Sequence, residues 1–260
     1  MKQVLSLCVL ATMPLAYGQV LYDNGPMSTG PTHSNGTSAP SGTTWSELQT
    51  NGTQTNGTLG YSVNYQNGTS IGSLHQADDF TVGAEGWNVA GFVVYGFRTN
   101  GPTSEKFTSG VLRIWDGVPG AVGSNVIAGD LTTNILQSTS FTGIYRTGRG
   151  SASAIRPIMA ATLSFAAPIV LTQGTYWMDY GLTSGGNTFA PLVTRPGEVG
   201  IPGANAMLFT SGDWYTMTDS NSGVNLEVPF QVLGEPVPEP ATLAALGVGL
   251  LALRRRRHRA

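Results

Sequence analysis

Cysteine is almost absent from this chain of 260 residues. Its single cysteine, Cys8, lies in the first apolar segment, so everything after that segment is free of thiols. This excludes disulfide bridges, thiolate metal sites and a cysteine nucleophile from the main part of the protein. A chain of this length buries enough apolar surface to fold without such cross-links.

Charge is also scarce, and basic charge is scarcest in the central part of the chain. Residues 19–238 hold seven Lys and Arg against fourteen Asp and Glu, for a net charge of −7, whereas the whole chain carries −2. Nucleic-acid binding needs a basic surface that neutralises phosphates. The central part therefore disfavours a nucleic-acid partner.

Side chains for acid–base chemistry are few in residues 19–238. His33 and His75 are the only histidines there, and we expect both to be solvated loop residues. Asp78 and Asp79 are adjacent on a predicted strand, where neighbouring side chains point to opposite faces, so they cannot be the facing carboxylate pair of a glycosidase. We expect no catalytic residue and no cofactor.

One segment looks like the start of a calcium loop. Asp219 and Asn221 have the spacing of the first two ligands, and Gly223 follows them. Phe230 stands where an EF-hand has its last glutamate. The segment therefore favours a polar turn over a metal site.

The two ends of the chain have the composition of targeting segments. Residues 1–18 form a predicted signal peptide, with Lys2 before an apolar stretch and Ala16 and Gly18 at the positions that signal peptidase recognises. Gln19 is then the first mature residue. The sequence therefore predicts export.

The C-terminal segment, residues 236–260, combines three features in order. Pro238-Glu239-Pro240 is followed by a predicted apolar helix at 241–253 and by an arginine-rich end. Thirteen helical residues span roughly 20 Å, against roughly 30 Å for the hydrocarbon core of a bilayer. Such a segment can enter a membrane, where the arginines favour the cytoplasmic side. It is short for a permanent anchor.

This order of features resembles the PEP-CTERM sorting signal of Gram-negative bacteria. The resemblance implies recognition at Pro238, Glu239 and Pro240 by the membrane peptidase exosortase, which removes the tail. It also implies a precursor held in the inner membrane and a mature form at the cell surface or in the exopolysaccharide matrix.

Between the ends, the sequence predicts an all-β protein. Residues 19–75 are rich in Gly, Thr and Asn and predict loops and short strands, with Asn-Gly turns. Residues 76–235 predict an antiparallel β-sandwich of jelly-roll type, because short aromatic and β-branched runs alternate with turn residues. Pro229 predicts an edge position for the last strand. The strands are expected at 78–82, 87–97, 110–116, 158–165, 175–181 and 226–232.

Parts of this region also resemble segments that recur in a large group of PEP-CTERM proteins. The resemblance covers roughly residues 76–233 and implies a β-sandwich at the cell surface, with no catalytic residues to carry over. The similar segments are 76–82, 113–117, 119–120, 143–146, 156–158, 174–177 and 205–207.

Three functions stay open at this point. The features favour a non-catalytic surface or matrix protein, with exosortase, signal peptidase and exopolysaccharide as partners. A carbohydrate-binding module is the alternative, since Trp45 and Trp214 lie beside turns and an exposed indole stacks on sugar rings. A hydrolase is the third.

Overall fold

The computed structural model describes residues 18–65 and 73–238. All regular elements within these ranges are β-strands, which confirms the all-β prediction. Within the same ranges, no helix has the length and apolarity needed to cross a membrane. The predicted apolar helix at 241–253 and residues 1–17 of the predicted signal peptide lie outside the described residues. The strands are β1 (Gln19–Asp23), β2 (Thr44–Glu47), β3 (Tyr61–Ser62), β4 (His75–Val82), β5 (Trp87–Phe97), β6 (Ser109–Trp115), β7 (Val126–Asp130), β8 (Leu136–Thr147), β9 (Pro157–Leu171), β10 (Gly174–Thr183), β11 (Phe189–Ala190), β12 (Met207–Thr210), β13 (Asp213–Thr216) and β14 (Phe230–Pro236).

The strands form two sheets. The larger sheet has the order β1-β14-β5-β9-β8-β2, with β3 and β11 attached beside β5, and the smaller sheet has the order β13-β12-β4-β10-β6-β7. The ladders between the strands of the predicted sandwich region are antiparallel, as expected. β2, which precedes that region, pairs with β8 in parallel. β1 and β2 belong to the larger sheet, which therefore takes strands from both sides of the predicted boundary at residue 76. The jelly-roll subtype stays a prediction.

One hydrophobic core lies between the sheets, because both present alternate apolar residues to it. Phe80 of the smaller sheet packs against Phe92 and Phe230 of the larger one, with ring centroids 5.7 and 6.3 Å apart. All three rings are buried. Each contributes about 1.5–3 kcal/mol by leaving water. This aromatic contact helps to hold the two sheets together.

The last strand differs from its prediction. β14 begins at Phe230, directly after Pro229, and lies between β1 and β5 instead of at an edge. Pro229 precedes the strand, so its missing N–H is not required in the ladder and the expected edge position is wrong. The predicted alternation holds for burial, since Leu226, Val228 and Val232 are all buried.

Candidate functional site

The densest group of polar and aromatic side chains lies on the outer face of the smaller sheet. Asp179 stands in the middle of β10, in register with Ala77 of β4 and Arg113 of β6. Its neighbours Met178 and Tyr180 belong to the core. Strand alternation therefore turns the Asp179 side chain to the outer face.

Three donors meet the carboxylate of Asp179. His75 Nδ1 lies 2.5 Å from Oδ1, while Arg113 Nε and Trp115 Nε1 donate to Oδ2 at 2.5 and 3.2 Å. Asp179 is fully buried, and Arg113 balances its charge. We call these four residues the Asp179 cluster. The sequence contains a signal for this cluster: Asp179 lies in a strand rich in aromatic residues, and a buried carboxylate needs a charged or hydrogen-bonding partner.

Aromatic rings cover the cluster from the side of the β12–β13 hairpin. The ring of His75 stacks on Phe209 at 4.5 Å and meets the edge of Trp214 at 5.0 Å. The Arg113 guanidinium lies 4.7 Å from the centre of the Trp115 ring, a cation–π contact. His75 is only 2% exposed, so its predicted loop position is wrong. Trp214 is partly exposed and forms a rim of the cluster.

A histidine held by a carboxylate can act as a general base when a nucleophile lies within hydrogen-bond reach. Among the described hydrogen bonds, none joins a hydroxyl group to His75. Residues 68–72 read Gly-Thr-Ser-Ile-Gly, which matches the Gly-x-Ser-x-Gly spacing of serine hydrolases. Ser70 lies outside the described residues. The motif's usual context is a strand followed by a helix, whereas the next element among the described residues is strand β4.

A second polar group joins the two sheets inside the protein. Asp78 of β4 is fully buried, and its Oδ2 accepts hydrogen bonds from Val228 N at 2.7 Å and Asn24 Nδ2 at 3.0 Å. Burial and the hydrogen-bonded carboxyl of Glu227 raise the pKa of Asp78 well above its ordinary value. Burial also raises the pKa of Glu227. The two carboxyl groups therefore share a proton, a pairing that the sequence did not reveal because 149 positions separate them.

A buried arginine anchors the N-terminal loops to β8. Arg146 is 1% exposed, and its Nη1 donates to Ser46 Oγ and Thr194 Oγ1, both at 2.9 Å. Its Nε donates to Leu59 O at 2.7 Å, and Nη2 donates to Thr58 O at 3.3 Å. Burial lowers the pKa of Arg146 to about 10. The guanidinium stays charged at neutral pH and holds four neutral oxygens around it.

Trp45 and His33 lie beneath the N-terminal loops. Trp45 is 2% exposed, and its Nε1 donates to Thr37 O at 3.2 Å. The prediction that Trp45 offers a face to a sugar is therefore wrong, because β2 packs it against Tyr145 of β8. His33 is also 2% exposed, with Nε2 3.0 Å from Gly148 O, so it is no solvated loop residue.

The segment from Asp219 to Gly223 is a turn. The Asp219 carboxylate accepts backbone hydrogen bonds from Gly57, Thr58, Asn221 and Ser222, at 2.8–3.0 Å. These bonds lower the pKa of Asp219, although its burial acts in the opposite direction. In residues 18–65 and 73–238, no group of three metal-binding side chains is present. The carboxylate thus joins the 56–58 loop to the turn.

The sorting residues begin where the larger sheet ends. Pro236, the last residue of β14, is in register with Trp87 of β5. Val237 N donates to Gly86 O at 3.1 Å, so the chain stays attached for one more residue. Pro238 is the first exposed residue after this contact. Gln19, the predicted mature N-terminus, is in register with Gly234 of the same strand.

Comparison with known families identifies the segment that begins at the end of β14. Residues 236–257 match the family model of the PEP-CTERM protein-sorting motif. The chain carries a PEP-CTERM sorting signal. No curated protein and no solved structure matches it.

The PEP-CTERM motif implies an exported protein that exosortase processes. Of its predicted recognition residues, Pro238 is described and exposed, while Glu239 and Pro240 lie outside the described residues. At the other end, Gly18 and Gln19 are described and Ala16 is not. Signal peptidase cleavage at this position stays a prediction.

Proposed function

We propose that the protein is an exported, non-catalytic β-sandwich protein that exosortase sorts to the cell surface or exopolysaccharide matrix of a Gram-negative bacterium. The PEP-CTERM motif at 236–257 carries this proposal. It begins at the end of the last strand of the sandwich. In the precursor, the tail at 241–253 holds the chain in the inner membrane, and signal peptidase removes residues 1–18.

The geometry of the acidic residues supports a non-catalytic role. Asp78 is fully buried, and its Oδ2 already accepts hydrogen bonds from Val228 N and Asn24 Nδ2. Asp179 is already bound by His75, Arg113 and Trp115. Neither arrangement leaves a carboxylate free beside an open cleft.

Substitution of the motif's acidic residue tests the sorting proposal. Glu239→Ala should leave an uncleaved precursor in the membrane fraction, because the peptidase loses its recognition residue. Glu235→Ala is a matched control, since Glu235 is exposed on β14 and lies outside the matched segment. Immunoblots of membrane, surface and medium fractions give the measurement. Normal processing of the Glu239→Ala chain would refute exosortase sorting through this motif.

A carbohydrate-binding module is the second candidate, and partial exposure of Trp214 favours it. Trp214 and Trp115 lie edge to face at 6.5 Å beside the Arg113 guanidinium. Partly exposed indoles of this kind bind sugar rings by stacking. Glycan-array binding that Trp214→Ala abolishes would favour this candidate. Absence of binding to any glycan would leave the structural role.

The non-catalytic proposal has its own test. The purified protein should show no turnover on ester, peptide and glycoside panels. Turnover lost in both Ser70→Ala and His75→Ala chains that still fold would overturn the proposal and indicate a serine hydrolase. Turnover lost on changing Asp78 or Asp79 would indicate another hydrolase class.

A further inference from the structure

Both predicted processing sites lie at one end of the sandwich. β1 begins at Gln19 beside Gly234, and β14 ends at Pro236, two residues further along. The β4–β5 turn is at the same end, because Gly86 accepts the hydrogen bond of Val237. We call this end of the sandwich the tail-proximal end. It comprises the start of β1, the end of β14 and residues 83–86 and 169–173.

The spacer between this end and the predicted apolar run is short. Five residue steps lead from Pro236 to Ala241, which fully extended reach at most about 17 Å. The headgroup layer of one leaflet takes up roughly 5–8 Å of that length. The tail-proximal end therefore stays within roughly 10 Å of the headgroups while the tail is inserted.

The surface of the tail-proximal end suits a neutral interface. Val20 and Val170 are 50% and 66% exposed there, and Val170 is in register with Asn88, next to Trp87. Residues 18–22, 83–90, 166–174 and 233–238 contain no Lys or Arg. Glu85 and Glu235 are exposed. This surface therefore offers apolar, short-ranged contacts and no basic charge that would attract anionic headgroups.

The opposite end of the sandwich stands well away from this surface. β5 runs from Trp87 at the tail-proximal end to Phe97, about 33 Å for a strand of this length. The β5–β6 and β8–β9 connections meet there, where Asn100 N donates to Ile155 O at 2.7 Å. Ile155 is 39% exposed.

We infer that the tail-proximal end is a membrane-facing surface of the precursor, with Val20 and Val170 at the level of the lipid headgroups. The β5–β6 and β8–β9 connections then project away from the bilayer. This inference rests on the proposed membrane-held precursor. The inference identifies the tail-proximal end as the surface that the membrane peptidase meets beside its motif. It also identifies the β5–β6 and β8–β9 connections as the loops that are free to bind partners.

Single-cysteine labelling tests this orientation. Cys8→Ser removes the chain's only cysteine, so Val170→Cys or Ile155→Cys introduces a unique thiol. Both original side chains are apolar and exposed, which makes Ile155→Cys a matched control. Each full chain is labelled with a fluorescent probe and reconstituted into phosphatidylcholine vesicles that contain a headgroup spin-labelled lipid.

The expected result is several-fold stronger quenching of the probe at position 170 than at position 155. A long flexible Gly/Ser insertion between Val237 and Pro238 should reduce the quenching at 170 to that at 155, because the tether no longer holds the sandwich near the lipid. Equal quenching at both positions in chains that float with the vesicles would overturn the inference alone. Chains that do not float would overturn the membrane-held precursor as well.

Discussion

The shared proton of Asp78 and Glu227 makes the stability of the sandwich depend on pH, and Glu227→Gln should weaken that dependence. Asp78 links β4 to β1 through Asn24 and to the segment before β14 through Val228. The introduced amide can donate to the Asp78 carboxylate in place of the shared proton. Asp78 could then ionise with all its hydrogen bonds intact.

The magnitude is set by proton linkage. Burial raises the pKa values of both carboxyl groups, and Glu227 raises that of Asp78 further. The folded protein therefore keeps a proton that the unfolded chain loses above about pH 4. Stability is therefore highest below that pH and falls as pH rises towards the folded pKa, by about 1.4 kcal/mol per pH unit for one proton. Near Glu227, Asp79 raises its pKa further and Arg195 lowers it. The lowered pKa values of Asp130 and Asp219 affect stability only at lower pH.

Urea unfolding of residues 19–238 at pH 5, 6, 7 and 8 provides the assay. The original chain should lose stability across this range relative to the Glu227→Gln chain. The slope difference should reach at most about 1.4 kcal/mol per pH unit, the value for one proton. Glu85→Gln is the control, because Glu85 is exposed in the β4–β5 turn. Parallel curves for the original and Glu227→Gln chains would refute the shared proton.

Two further predictions concern stability. Arg146→Met should lower the free energy of unfolding in urea by roughly 3–5 kcal/mol, because buried acceptors including Ser46 Oγ and Thr194 Oγ1 lose their donor. Arg149 is exposed, so Arg149→Met should change that free energy by less than about 0.5 kcal/mol, and equal effects of the two substitutions would contradict the role of Arg146 as a buried anchor. Gly91→Ala should lower the melting temperature and cost about 2 kcal/mol or more, since a Cβ atom would lie 2.1 Å from Leu163 O in the middle of the larger sheet. Gly148→Ala, where a Cβ meets nothing within 4 Å, is its control.

The sequence by itself determined the features that depend on local order along the chain. The sorting motif could be recognised because its proline, glutamate, apolar run and arginines are consecutive, and the family model matches the same segment. Strands were predicted for the same reason. β5 was expected at 87–97 and is observed there, because its apolar residues and flanking turns are all local signals.

Only the tertiary structure decided which distant residues meet. His75 and Asp179 are 104 positions apart, and Asp78 and Glu227 come together across the two sheets. His33 was expected in a solvated loop and Trp45 was a candidate for an exposed indole, but both are buried where β2 pairs in parallel with β8. Strand order and register fix these contacts, and both are set by the packing of the whole core. A local pattern predicts the face of the strand on which a side chain lies, but it does not predict which strand or loop covers that face.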